Sequence, residues 1–417
     1  MSTPTVPLKY LAGINERSLP ETTCPDFEFG YIDISSVGRG ELTSEPAQMR
    51  FGDAPSRARR LLRNGDTIVS TVRTYLRAVW PIEGAADGLV ASTGFAVLTP
   101  RAIEPRYFAW WVQSDVFIED VVARSVGVSY PAINALELGE LPVRVPPVAE
   151  QRAIADYLDA ETVRIDALIA KKQQLIQLLE ERLRAEMTEL ACGRLRGAPL
   201  AGSGIDWIGK IPASWQVVRL NKVARLESGH TPSRTREELW VDADKAWITL
   251  NDVGTLAESE FIGETKNLIS DAGLAASSAR MLPAHTVVLS RDATIGRVGI
   301  MATNMATSQH FAAWVCSSVI RPRFLWLLLR FAMQPFLTSF DDGATLRTIG
   351  MPHVRRFVVP LPPVKEQDEI VAHAETRRAA ITAGGQSLGR QLELLAEHRQ
   401  ALITAAVTGE FAVPGAA

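Results

Sequence analysis

The residues of this chain best suited to chemistry are arginines and short polar side chains in loops that follow β-type runs. One loop is Val72-Arg73-Thr74-Tyr75-Leu76-Arg77, which offers Arg73, Thr74, Tyr75 and Arg77. Another is Ser290-Arg291-Asp292-Ala293-Thr294-Ile295-Gly296-Arg297, with Arg291, Thr294 and Arg297. Thr93 lies in Ser92-Thr93-Gly94, and Gln309 and His310 lie in Ser308-Gln309-His310. Ser129 and Tyr130 follow Gly127, and Arg347 follows Gly343. Thr231 and Ser233 belong to a Gly-His-Thr-Pro-Ser turn, which Arg234 flanks. Arginine suits phosphates and guanine edges, and glutamine can pair bidentately with adenine. These residues are the candidates for a nucleic-acid surface. Taken alone, an arginine cluster reads equally as a solvated face with surface ion pairs. Corresponding clusters in two parts of the chain favour the binding reading. Within residues 50–77 seven arginines face only Asp53 and Asp66.

Catalytic signatures fail one by one. Gly204-Ile205-Asp206-Trp207-Ile208-Gly209-Lys210-Ile211 mimics a phosphate-binding loop, but Ile211 stands where the Mg²⁺-ligating hydroxyl belongs, and no apolar strand precedes it. Gly38-Arg39-Gly40 starts a dinucleotide fingerprint and does not complete it. The six histidines all lie beyond residue 229, without metal-ligand spacing. No acid–base or metal constellation recurs, so the expected class is a binding protein with no cofactor or metal of its own.

The elements that must position these side chains emerge from an internal repeat at an offset of 216 residues. Pro146-Pro147-Val148-Ala149-Glu150-Gln151 recurs as Pro362-Pro363-Val364-Lys365-Glu366-Gln367. Ile154 matches Ile370, Ile133 matches Ile349 and Phe95 matches Phe311 in the same register. Asp66-Thr67-Ile68-Val69 aligns with His285-Thr286-Val287-Val288 at 219.

Each copy divides at its Pro-Pro pair. Before it lie β-type runs, at 30–34, 67–72 and 89–98, then 246–250, 286–290 and 311–316, with helical stretches at 106–123 and 323–338. After it, residues 148–191 contain no proline or glycine, and Ile154, Leu158, Ile165, Leu168, Leu175 and Leu179 keep three–four spacing. Roughly 42 such residues make a rod of about 63 Å, which needs a partner helix to cover its stripe. The second copy supplies one, through Ile370, Ala374, Ile381, Leu388 and Leu392. Gly384-Gly385 and Gly389 predict a kink or break in that helix. The expected fold is mixed α+β: globule 1–147, helix 148–196, globule 197–363 and helix 364–411, the helices pairing as an antiparallel coiled coil.

The 417 residues leave room for two or three domains. With 47% hydrophobic and 22% charged residues, the composition is that of a soluble globular chain. The net charge of −3 argues against coating nucleic acid by bulk charge. It hides an uneven distribution. The 197–363 globule sums to +3, the other three segments to −3, −1 and −2. Three distant cysteines indicate neither a zinc ribbon nor a disulfide framework. No signal core or membrane-length apolar run is present, so a cytoplasmic location is expected.

The doubled Pro-Pro-x-x-Glu-Gln before a long helix, Ala405-Ala406-Val407-Thr408-Gly409-Glu410-Phe411, and Gly204-Ile205-Asp206-Trp207-Ile208-Gly209 with Ile211-Pro212 and Trp215 carry a family resemblance. The chain resembles the DNA-specificity subunits of type I restriction–modification enzymes (HsdS). The resemblance implies two target-recognition domains, each reading half of a bipartite site in double-stranded DNA. It implies spacer helices that dock two methyltransferase subunits, to which two restriction/translocase subunits add. S-adenosylmethionine, ATP and Mg²⁺ would belong to those partners, and methylation would fall on adenine N6. Glu150, Gln151, Ile154, Leu158, Glu366, Gln367 and Ile370 are the expected partner-binding residues. Two other readings remain: the specificity subunit of a methyltransferase without a restriction partner, and a coiled-coil scaffold for protein interactions.

Overall fold

The computed structural model describes residues 3–84, 88–341 and 348–415. It divides into two compact units, residues 1–173 with 389–417, and residues 174–388. The fold is mixed α+β. Two helices dominate it, the central helix Val148–Ala191 and the C-terminal helix Val364–Thr408. Among the described residues no helix is long and apolar enough to cross a membrane.

The first unit holds two four-stranded sheets. One orders Ala12–Ile14, Phe95–Pro100, Thr67–Ser70 and Val79–Pro81, all antiparallel. The other orders Ala47–Arg50, Glu28–Ile32, Leu89–Ser92 and Ala58–Leu61, with Glu28–Ile32 and Leu89–Ser92 parallel. In the second unit a five-stranded sheet orders Ala224–Ser228, Phe311–Cys316, Val287–Ser290, Val298–Met301 and Phe261–Ile262. A smaller sheet centres on Lys245–Ile248, parallel to Ala306–Thr307.

The pairings repeat between units. Ile32 pairs Ala91 as Ile248 pairs Thr307, at an offset of 216. Thr67 pairs Leu98 and Val287 pairs Trp314, so these strands correspond at 220, not at the 219 expected. Gly65 and His285, both left-handed, lead into them. The 219 alignment matched apolar residues. Side chains alternate faces along a strand, so the one-residue slip would have turned every one over.

Two helix expectations need correction. The 106–123 stretch is two helices, Pro105–Gln113 and Asp115–Ala123, because Ser114 leaves the helical region (ψ 153°) and caps the second. The 323–338 stretch contains a π-turn at Leu328–Ala332. The expected break at the glycines is also corrected, since the C-terminal helix runs uninterrupted through Gly384, Gly385 and Gly389. Each glycine costs about 1 kcal/mol relative to alanine, a local penalty that tertiary packing of a long helix overrides.

Packing explains that override. In the first unit Ile154, Ala155 and Leu158 join Ile403, Ala406 and Val407 in one core with Tyr107, Phe108 and Trp111. In the second, Met187, Leu190, Ile370 and Ala374 share a core with Trp314, Phe324 and Leu328. The start of one helix thus accompanies the end of the other, which makes the pair antiparallel. Arg399 binds Asp166 (Nε–Oδ1 2.9 Å), and Arg377 binds Glu186 through both nitrogens at 3.0 Å. Leu168, Leu175 and Leu178 keep about half their surface exposed. A two-helix contact is too narrow to cover the whole stripe.

Candidate nucleic-acid interface

In the first unit the loop after Thr67–Ser70 is pinned by its backbone. Thr71 N–H donates to Gly94 O (2.8 Å), Ile133 N–H to Thr71 O (3.0 Å), and Arg73 N–H to Pro131 O (2.8 Å). Arg73 and Arg77 adopt left-handed φ values of 55° and 54° on either side of a single 3-10 turn, Thr74–Leu76. Such conformations disfavour ordinary side chains and persist where surrounding contacts hold them. The holding contact is Thr74, 2% exposed, whose hydroxyl donates to Ser125 Oγ at 2.8 Å. Thr74 is therefore a fastening residue within the loop. Tyr75 and Leu76 project into solvent. The Arg73 guanidinium lies 4.8 Å over the Tyr130 ring, beside exposed Ser129, Val126 and Val128. Arg77 is held 3.4 Å from Asp115. Thr93 is exposed, and its N–H donates to Arg57 O. Arg57 in turn pairs with Asp33 at 2.9 Å. Backbone pairing, rotamer packing and the Arg–Tyr stack thus present Arg73, Tyr75, Ser129 and Tyr130 on one loop cluster.

The second unit repeats the backbone and changes the side chains. Arg291 N–H donates to His310 O (2.9 Å) and Ile349 N–H to Arg291 O (2.7 Å). Arg291 thus takes the place of Thr71, and His310 that of Gly94. Arg73 corresponds to Ala293, also left-handed at φ 60°. Arg73 therefore has Ala293, and not Arg291, as its counterpart. The Arg291 guanidinium turns inward, donating to Gln309 O (2.6 and 3.0 Å) and Ile349 O (3.2 Å). His310 Nδ1 contacts Asp292 Oδ2 at 2.8 Å, and Thr348 Oγ1 donates to Asp292 Oδ1. Thr231 donates to Gln309 Oε1 (2.6 Å), leaving the Gln309 amide nitrogen beside His310 Nε2 at 3.3 Å. A polar network of Thr231, Gln309, His310, Asp292 and Thr348 results. Ser233 and Arg234 are exposed; the Ser233 carbonyl accepts from Trp240 Nε1 (3.0 Å). Thr294 O accepts from Ser290 Oγ, and Arg297 N–H donates to Ser290 Oγ (3.0 Å). Arg347, with Gly343, lies outside the described residues.

Asp292 and Thr348 were missed from the sequence. Nothing local marks them, because 56 residues separate the pair, which the fold joins by a backbone bridge and the Thr348–Asp292 hydrogen bond.

Five of the seven residues expected to bind partners are taken up by the chain's own packing. Gln151, Ile154, Leu158, Gln367 and Ile370 are at most 2% exposed and serve the chain's own core. Gln151 Oε1 accepts from Glu104 N–H (2.8 Å) and its Nε2 donates to Pro146 O (2.7 Å). Gln367 repeats this with Arg321 N–H (2.8 Å) and Pro362 O (2.9 Å), and adds Val319 O (2.9 Å). Glu104 and Arg321 are the caps before Pro105–Gln113 and Pro322–Leu327. The glutamine thus ties the start of a domain helix to the proline pair and to the long helix. Glu150 pairs with Arg144 (2.8 Å), and Glu366 accepts from Trp215 Nε1 (3.0 Å). The recurring motif is internal architecture, because burying an amide demands partners for every polar group it meets.

Residues 212–382 match the model of the type I restriction modification DNA specificity domain. The type I restriction enzyme MjaIX specificity subunit of Methanocaldococcus jannaschii is 27% identical over 39% of this chain and 38% of its own length. The HindI specificity subunit of Haemophilus influenzae is 22% identical over 69% of this chain and 73% of its own. A chain from a solved structure of a type I restriction–modification system, described for its assembly and conformational transition, superposes with a TM-score of 0.74. It is 22% identical and covers 99% of this chain and 100% of that one, a likeness of fold.

Proposed function

We propose that this chain is a DNA-specificity subunit of a type I restriction–modification system, and from that premise how it reads DNA and with what it assembles. Each unit reads one half of a bipartite duplex site through the loop after its Thr67–Ser70 or Val287–Ser290 strand. Phosphate contacts position the unit, and base-edge contacts specify. The paired helices set the distance between half-sites and dock two methyltransferase subunits, which two restriction/translocase subunits join. S-adenosylmethionine, ATP and Mg²⁺ act in those partners, and the methylated atom is adenine N6. The chain itself contributes recognition and no catalysis.

One observation carries this reading. A single hydrogen-bonded loop scaffold occurs twice, and the side chains it presents differ: Arg73, Tyr75 and Tyr130 in one copy, Gln309, His310 and Asp292 in the other. A structural scaffold would gain nothing from that divergence. A reader of two different half-sites requires it.

The test is co-expression with the partner methyltransferase in a host free of other modification, followed by single-molecule methylome sequencing. The expected motif is interrupted, with unequal halves. A continuous or palindromic motif overturns the reading. Inserting one helical turn into the central helix should lengthen the spacer; an active enzyme with an unchanged spacer removes the ruler role.

A further inference from the structure

The second unit carries an open pocket of about 700 Å³ lined by Arg184 of the central helix, Arg297 at the end of the 291–297 loop, and Arg330. Its one acidic lining residue, Glu189, is already bound to Arg194 at 2.7 Å. Arg184 approaches Glu180 only to 3.7 Å, and both are well exposed. Among the described residues Arg297 and Arg330 form no ion pair. Arg330 makes one hydrogen bond, from Nη2 to Ala257 O at 2.7 Å. Its pKa lies below the usual arginine range, first because it is buried and then because Arg297 and Arg184 repel it. Arg330 also sits in the π-turn Leu328–Ala332, and such turns are frequent at functional sites.

The duplicated scaffold does not require these charges. Arg330 stands nine residues beyond its helix cap Arg321, as Gln113 does beyond Glu104. Arg184 matches Gln400 at the repeat offset. Arg297 and Ala78 both offer their carbonyl oxygens to the equivalent N–H groups of Ser290 and Ser70, each at 2.9 Å. In the first unit Gln400 Nε2 simply donates to Gln113 O at 3.1 Å. Three guanidinium groups stand where the first unit has two amides and a methyl, and the acid added beside them, Glu189 in place of Ala405, is already bound to Arg194.

We propose that Arg184, Arg297 and Arg330 form an anion site that grips one backbone phosphate of the DNA duplex beside the half-site read by the 291–297 loop. The proposal rests on the DNA-reading function above. A phosphodiester fits because arginine forks match phosphate oxygens, and because Arg297 closes the same loop that carries Asp292 and Thr294.

The test uses the complex with its methyltransferase subunits and the duplex defined by its methylome. Affinity is measured against salt concentration. Each phosphate contact contributes about 0.9 to the slope of log K on log salt. R297Q and R330Q should each flatten the slope by about one and weaken binding to matched and mismatched duplexes alike, with the methylated motif unchanged. R330K should retain the wild-type slope. A methylphosphonate scan should reveal one sensitive position for the wild type that R330Q no longer senses. A triple variant, R184Q/R297Q/R330Q, that melts normally and keeps the wild-type slope overturns the phosphate site. So does a triple variant whose only defect is loss of the methyltransferase, which would assign the arginines to a protein carboxylate. If the wild-type complex does not distinguish target from scrambled duplex, the DNA-reading function itself falls.

Discussion

The two units differ least in their backbone hydrogen bonds and most in the side chains those bonds display. Thr71–Gly94 and Arg291–His310 make the same strand-end bond, at 2.8 and 2.9 Å, and Ile133 and Ile349 close the same loop. Upon that shared frame the first unit stacks Arg73 on Tyr130 at a solvated surface. The second builds a polar network around Asp292 and Gln309 and turns Arg291 inward. Duplication therefore preserves what any sequence can use, the backbone pairing, and frees what only a particular sequence decides. A frame that tolerates threonine, arginine, glycine or histidine at matched places can be retargeted without refolding.

The comparison breaks first at the buried glutamines. Gln367→Ala leaves three backbone groups without their partner and Gln151→Ala two. At about 1 kcal/mol per group the losses should be about 3 and about 2 kcal/mol, read by denaturant unfolding. Equal losses would mean that Val319 O finds another partner. A smaller effect separates the helix crosslinks. Glu186 accepts from Arg377 and Arg182, which hold its pKa down to about 2 from the ordinary 4.5. A lowered carboxylate pKa stabilises the fold above pH 4.5, and the contribution disappears as pH falls towards 2. With solvent screening, Glu186→Gln should cost about 1 kcal/mol at pH 7 and nothing near pH 2. Asp166→Asn in the first unit, at the half-exposed pair with Arg399, should cost less than about 0.5 kcal/mol. An equal or larger cost there would mean that the Asp166–Arg399 pair holds the helices as firmly as Glu186 does. The smallest effect is a gain. Gly385 has open space around it and a Cβ at Gly384 would meet Leu179 Cδ1 at an ordinary 3.7 Å. Each glycine to alanine change should therefore stabilise by about 0.5–1 kcal/mol in thermal melts. Destabilisation would mean that the helix needs those glycines to flex.

Much of the fold could be read from local pattern. The absence of helix breakers over 148–191 and the Pro-Pro pairs foretold both long helices, and the repeat foretold paired β-rich units. Ser114 escaped, because one serine gives the same weak signal inside a helix as at a cap. The site was harder to read. Arg73, Tyr75 and Tyr130 were legible as exposed loop residues, whereas Thr74 and Arg291 carry types that suit DNA and turn out to fasten the loop. Gln151 and Gln367, expected to meet a partner, are buried ties within the chain.

The sequence by itself determined the duplication, the two rods and the places where chain direction changes. These depend on periodicity and on proline or glycine, whose effects act within a few residues. Tertiary structure alone decided which polar side chain faces inward, how the copies align to the residue, and that Arg184, Arg297 and Arg330 share one pocket. Those outcomes depend on hydrogen-bond partners and charges brought together from distant segments, which no local pattern encodes.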